Sequence, residues 1–152
     1  MQLADFAGRW EMRRAIADHR AGCAGRLSGV TAFMADPQGG LVCHEAGWLR
    51  LGAGAPMAAT RGYLWRAAPA GGIEVRFVDG RFFHRFDAAE TRPEATHDCA
   101  PDLYRVRYDF SRWPRWRTQW WVRGPRKDYH MATFYRPAGQ ATGTAASTVR
   151  TG

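Results

Sequence analysis

From Gly8 to Arg136 the apolar side chains recur at a period closer to two than to 3.6, and turn signals cut the chain into short pieces. A period of two belongs to strands, whose successive side chains point to opposite faces. Many short strands with short links restrict such a chain to a barrel or sandwich of antiparallel strands. The segments are a first strand carrying Trp10, Met12 and Ile16 on one face, then Arg26 to Met34, Leu41 to Leu51, Met57 to Arg66, Ile73 to Val78, Arg81 to Phe86, Asp102 to Phe110, Arg115 to Arg123 and Lys127 to Arg136. Asp36-Pro37-Gln38-Gly39-Gly40, Gly52-Ala53-Gly54, Ala70-Gly71-Gly72 and Trp113-Pro114 punctuate them. Leu3 to Ala7 reads as a short turn of helix ahead of the first strand.

Two tight reversals define hairpins. Asp79-Gly80 predicts a two-residue type I′ turn. Gly124-Pro125 predicts another, with a positive φ at Gly124 and the fixed φ of proline after it. The second lies near the end of the chain, so its outer strand is expected to close the sheet against the first strand.

The 152 residues suit one barrel domain over residues 1–137, followed by a disordered tail over 138–152 where Ala, Gly, Thr and Ser dominate. The fold expected is an all-β, antiparallel up-and-down barrel with little helix. There is no apolar run long enough to span a bilayer and no secretion signal at the start, which predicts a soluble, cytoplasmic protein without membrane contact. Cys23, Cys43 and Cys99 are odd in number and widely spaced, as free thiols of a reducing compartment are. The net charge is +8, with Lys127 the one lysine among 22 basic residues. That field attracts anions. Nucleic acid is not the expected partner, because strand parity puts Arg115, Arg117 and Arg123 on one face and Trp116, Trp120 and Val122 on the other; only Trp121 joins the arginines.

Gly8-Arg9-Trp10 resembles the Gly-x-Trp signature of lipocalins and other calycins, whose tryptophan plugs one end of a barrel beneath an arginine from a late strand. The resemblance implies that role for Arg136. Lys127-Asp128-Tyr129 resembles the lipocalin Thr-Asp-Tyr motif but stands on the same strand as Arg136, and the long lipocalin helix is missing, so a compact calycin is the better match. A more specific resemblance is to the uncharacterised, mainly bacterial DUF6314 family. It rests on Phe6-x-Gly8-x-Trp10, His44-Glu45-x-Gly47, Arg61-x-Tyr63-x-Trp65, Phe77-Val78-Asp79-Gly80-Arg81-x-Phe83-His84, His97-Asp98-Cys99-x-x-Asp102-x-Tyr104 and Gly124 to Tyr129. It implies a small calycin-type barrel over Phe6 to Arg136.

In a small barrel alternate residues face inward. Trp10, Met12, Ile16, Ile73, Val75, Phe77, Phe82, Phe86, Val106, Phe110, Trp120, Val122, Met131 and Tyr135 mark the inward parity. Arg14, His84, Tyr104, Tyr108, Thr118, Tyr129 and Thr133 share it. Arg61, Tyr63 and Trp65 occupy one face of their strand, assigned inward. An inward Arg61 requires a carboxylate, with Glu45 the structural candidate, or an anionic ligand. Arg61 and Tyr63 stand about 7 Å apart by the strand rise, a spacing that holds a carboxylate between them.

These residues predict a barrel that binds a small, partly apolar anionic molecule. Arg61, Tyr63, His84, Tyr104, Lys127 and Tyr129 are its polar anchors, and Trp65, Phe77 and Trp120 its walls. The alternative is an enzyme of lyase, cyclase or decarboxylase type in the same pocket, with Glu45 or His84 as general base. Haem with a histidine ligand is a weaker alternative, and otherwise no cofactor is expected. His97-Asp98-Cys99 reads as a structural loop anchored by Asp102, and no metal site is expected.

Overall fold

The alternation builds one continuous antiparallel sheet in the computed structural model, which describes residues 1–139. After a 3-10 turn at Leu3–Phe6 come β1 (Gly8–Asp18), β2 (Cys23–Ala35), β3 (Leu41–Leu51), β4 (Met57–Ala67), β5 (Ile73–Phe77), β6 (Phe82–Phe86), β7 (Glu94–Cys99), β8 (Asp102–Arg112), β9 (Arg115–Gly124) and β10 (Lys127–Pro137). The order across the sheet is β6-β5-β4-β3-β2-β1-β10-β9-β8-β7. Each strand therefore pairs with its neighbour in sequence, except where β10 returns to β1. That pairing runs from Trp10 opposite Pro137 to Asp18 opposite Tyr129. The sheet coils into a nearly closed barrel, in which β6 and β7, its two ends, lie beside each other without a ladder. The tail expected over residues 138–152 falls outside the described residues beyond position 139. Among the described residues no helix is long and apolar enough to cross a membrane.

One end of the barrel is plugged. The 3-10 turn drives Phe6 into it, fully buried, with Trp65 at 5.2 Å, Trp113 at 5.3 Å and Phe110 at 5.7 Å between ring centroids. Trp10 Nε1 donates to the Phe6 carbonyl at 2.8 Å, so the plug's own backbone is satisfied from within the core. Burying each such ring contributes on the order of 1.5–3 kcal/mol. Trp116 stacks on Tyr135 at 3.8 Å beside them.

Several expectations change. Arg136 does not cover Trp10: Tyr135 takes the inward position, so Arg136 points out and pairs with Glu11, and Trp113 and Trp116 cover the indole instead. His97-Asp98-Cys99 is not a loop but the end of β7, paired with Asp102 to Tyr104 of β8. Phe82 faces out and is 49% exposed, while Phe83 and His84 are both buried. The cause is a bulge: Val75 pairs with His84 and Arg76 with Phe82, leaving Phe83 as the extra residue that shifts parity.

Both turns also differ from expectation. Asp79 has no positive φ, and the hairpin is a three-residue loop, Val78-Asp79-Gly80, with Gly80 alone at φ 88°. Gly124 likewise has no positive φ. What it needs is the absence of a side chain, because a Cβ there would lie 1.9 Å from the Asp102 Oδ1.

Candidate functional site

Opposite the plug the barrel is open, and charged and aromatic side chains share its interior. The deepest ion pair joins β1 to β3: Arg14 Nη2 donates to both Glu45 carboxylate oxygens at 2.9 Å, and Arg14 Nε donates to Thr133 Oγ1 at 2.7 Å. Burial works against the Arg14 charge, and the Glu45 carboxylate outweighs it, holding the guanidinium above its usual range. Tyr135 reaches the same carboxylate at 3.4 Å. Gly29, the inward position of β2 between Leu27 and Thr31, has no side chain to block the path between the partners. Arg61 is the cross-strand neighbour of Glu45, yet the Glu45–Arg61 ion pair, one of the two partnerships the sequence left open for Arg61, does not form, because Arg14 already holds the carboxylate.

His84 lies beside this pair, almost fully buried, with Nε2 2.8 Å from the Tyr108 hydroxyl. Burial, and secondarily the neighbouring His97, push its pKa down to about 3, so the ring is neutral. Burial also raises the Tyr108 phenol and the Cys43 thiol well above their ordinary values. His84 Nδ1 and Trp116 Nε1 have no protein partner. A cavity of about 40 Å³ touches Glu45, Arg61, Tyr63, Trp65, His84 and Trp120. That is room for a few waters and too little for an organic ligand.

Phe83 is why the space is small. Its ring lies nearly parallel to Trp120 (5.2 Å, 7°) and to Tyr63 (5.9 Å, 12°), and it stacks on Phe77 at 4.6 Å. His97 meets its edge at 5.2 Å and Tyr104 at 5.8 Å. The bulge that misled the parity reading thus inserts a flat apolar ring between two others at the mouth.

The remaining anchors cluster at the rim. Lys127 is committed: its Nζ lies 2.7 Å from Asp102 and donates to the Tyr104 hydroxyl at 2.8 Å, and these two bonds, Asp102 first, raise its pKa. Burial raises the Tyr63 and Tyr129 phenols, against the pull of the Arg61 guanidinium near both. Arg61 itself is exposed and makes no ion pair among the described residues. The structure therefore brings Arg61, Tyr63, Phe77, Trp120, Tyr104, Lys127 and Tyr129 to one end of the barrel. It sets His84 and Glu45 deeper, and Trp65 deeper still against Phe6. Sequence reasoning missed Phe83, His97 and the partnership of Arg14. For His97 the signal was the short alternation Ala95-Thr96-His97; for Phe83 there was none, since a bulge leaves no mark in the pattern.

Fold and mouth together define a small lipocalin-like barrel, plugged at one end and lined with aromatics at the other. The chain belongs to the Family of unknown function (DUF6314), whose model matches residues 6–137. No curated protein matches it. Among solved structures, an S-type phycobiliprotein lyase from Guillardia theta is similar, with a TM-score of 0.60 over 91% of this chain and 92% of that one, at 7% identity. That degree of identity speaks to the fold alone.

Proposed function

We propose that the open end of the barrel binds a small, partly apolar anionic molecule, with Arg61 and Tyr63 taking the acid group and the Tyr63–Trp120 slot taking a flat apolar part. The observation that carries this is the state of Arg61. It is the guanidinium at the mouth whose adjacent carboxylate, Glu45, is already neutralised by Arg14. A guanidinium beside a phenol is well matched to a carboxylate. Phe83 occupies the slot as a ring-shaped stand-in, so the ligand enters by displacing it. The fold shared with a phycobiliprotein lyase makes a bilin the first conjugated anion to try.

The enzymatic reading is weaker on this geometry. Glu45 is held by Arg14 and Tyr135, and His84 is buried beneath Phe83 against Tyr108. Neither is placed to take a proton from a molecule at the mouth.

The test is a titration with biliverdin and with oleate, read by quenching of tryptophan emission and by absorbance. Arg61→Ala is expected to weaken binding by about tenfold to a hundredfold, the worth of one charged hydrogen bond. Unchanged affinity in Arg61→Ala would remove the anchor, and failure of both probes and of any ligand to copurify by native mass spectrometry would remove the proposal.

A further inference from the structure

The outer wall carries a second feature, independent of the mouth. Outward side chains of β1, β10, β9 and β8 and Arg92 of the β6–β7 connection enclose a groove of about 610 Å³, within the range of small-ligand sites. Six arginines line it, Arg13, Arg92, Arg112, Arg115, Arg117 and Arg136, against two carboxylates, Glu11 and Asp109.

Both carboxylates are already used. Asp109 takes Arg117 at 2.9 Å and Arg92 at 3.4 Å, and Glu11 takes Arg136. Arg13, Arg112 and Arg115 make no ion pair among the described residues. Arg112 and Arg115 also stand directly opposite each other across the β8–β9 hairpin. Like charges so placed repel, and a bound anion between them turns the repulsion into a clamp. In the same groove Phe134 is 53% exposed, with Arg13 and Arg117 as its cross-strand neighbours. An exposed ring flanked by guanidinium groups offers a face for stacking beside a site for phosphate.

We infer that this groove binds a phosphorylated small molecule bearing a flat ring, a mononucleotide in size and chemistry, with phosphate on Arg112 and Arg115 and the ring on Phe134. A nucleic-acid strand is disfavoured because it needs successive stacking platforms. Trp121, the outward aromatic of the neighbouring β9, is already stacked on His130 at 5.1 Å and covered by Arg105 and Arg107.

Calorimetric titration with ADP and with pyrophosphate, at a physiological salt level that screens the general field, tests the assignment. ADP is expected to bind more tightly than pyrophosphate. The double variant Arg112→Ser/Arg115→Ser should lose about tenfold or more for both probes. Phe134→Ala should weaken ADP and leave pyrophosphate unchanged. All three positions are exposed, so the fold tolerates the changes. Arg123→Ser, outside the groove, and Arg61→Ala, at the mouth, should bind ADP as the wild type does; the latter separates this site from the proposed ligand site. The inference is overturned if ADP does not bind, if Arg123→Ser loses as much as the double variant, if Phe134→Ala leaves ADP unaffected, or if a 15-mer oligothymidylate binds and ADP does not compete.

Discussion

Lowering the pH from 7 to 5 should destabilise the wild-type protein through one side chain, His84. In the fold its pKa is about 3, against an ordinary value of 6.5 that the unfolded chain recovers. Between those limits the unfolded state binds a proton that the folded state refuses, so stability falls as pH drops through 6.5, and this contribution is exhausted near 3. Within the window each pH unit costs about 1.4 kcal/mol, and integration from pH 7 to pH 5 gives a loss of about 2 kcal/mol. At a urea dependence of about 2 kcal/mol per molar, the unfolding midpoint moves by about 1 M. Asp109 and Glu94, whose pKa values are held below the ordinary range, contribute only further down. The assay is urea unfolding by tryptophan fluorescence at half-unit pH steps, on wild type and on His84→Gln, which can still bond to Tyr108 but cannot titrate. Parallel stability curves for the two proteins would show that burial does not hold His84 neutral, and the reasoning about the deep polar layer would fail with it.

Removing one member of the interior ion pair should be costly: Glu45→Gln leaves Arg14 buried without a counter-charge, for a loss of about 3–5 kcal/mol. Replacing both, as Arg14→Met with Glu45→Leu, should recover most of that loss; thermal melts of the single and double variants decide it, and a single variant melting with wild type would refute the coupling. Gly29→Ala places a Cβ 2.1 Å from the Ala46 carbonyl oxygen and 2.5 Å from the Gly47 Cα, backbone atoms that cannot step aside. We expect a loss of about 3 kcal/mol; a wild-type urea midpoint would show that the two strands separate there more easily than they appear packed.

How much of this was legible depends on what each residue's environment imposed on the pattern. Leu41–Leu51 reads from sequence with its observed bounds, because glycine-rich turns mark both of its ends, Gly39-Gly40 before it and Gly52-Ala53-Gly54 after it. The return of β10 to β1 was legible from the Gly124-Pro125 hairpin near the end of the chain, whose outer strand is left to close the sheet against the first. β7 was not: it is six residues long and carries Thr96, His97, Asp98 and Cys99 where a core pattern would stand. Phe82 was assigned inward because strict alternation cannot register a bulge. Glu45 was one of two partners open to Arg61, its neighbour across one strand pair; the carboxylate's actual partner lies two strands away, and only the coiling of the sheet over Gly29 brings Arg14 within reach. Parity assigned Arg61, Tyr63 and Trp120 inward, and Arg61 stands exposed at the mouth instead; Phe83, which decides how much space is left there, was invisible to parity.

The missing ladder between β6 and β7 has a consequence for the gene. Residues 87–93 join two strands that do not pair, so the ladders of the sheet do not depend on this connection being continuous. Ala89, Glu90, Thr91 and Arg92 are exposed, the N-terminal ammonium of Met1 holds the Ala88 carbonyl, and Tyr108 and Phe110 hold those of Pro93 and Thr91. A break after Glu90 leaves each anchor with its own half, and the β1–β10 ladder remains to join them. Two separately encoded fragments, divided at that point, are therefore expected to assemble into one fold.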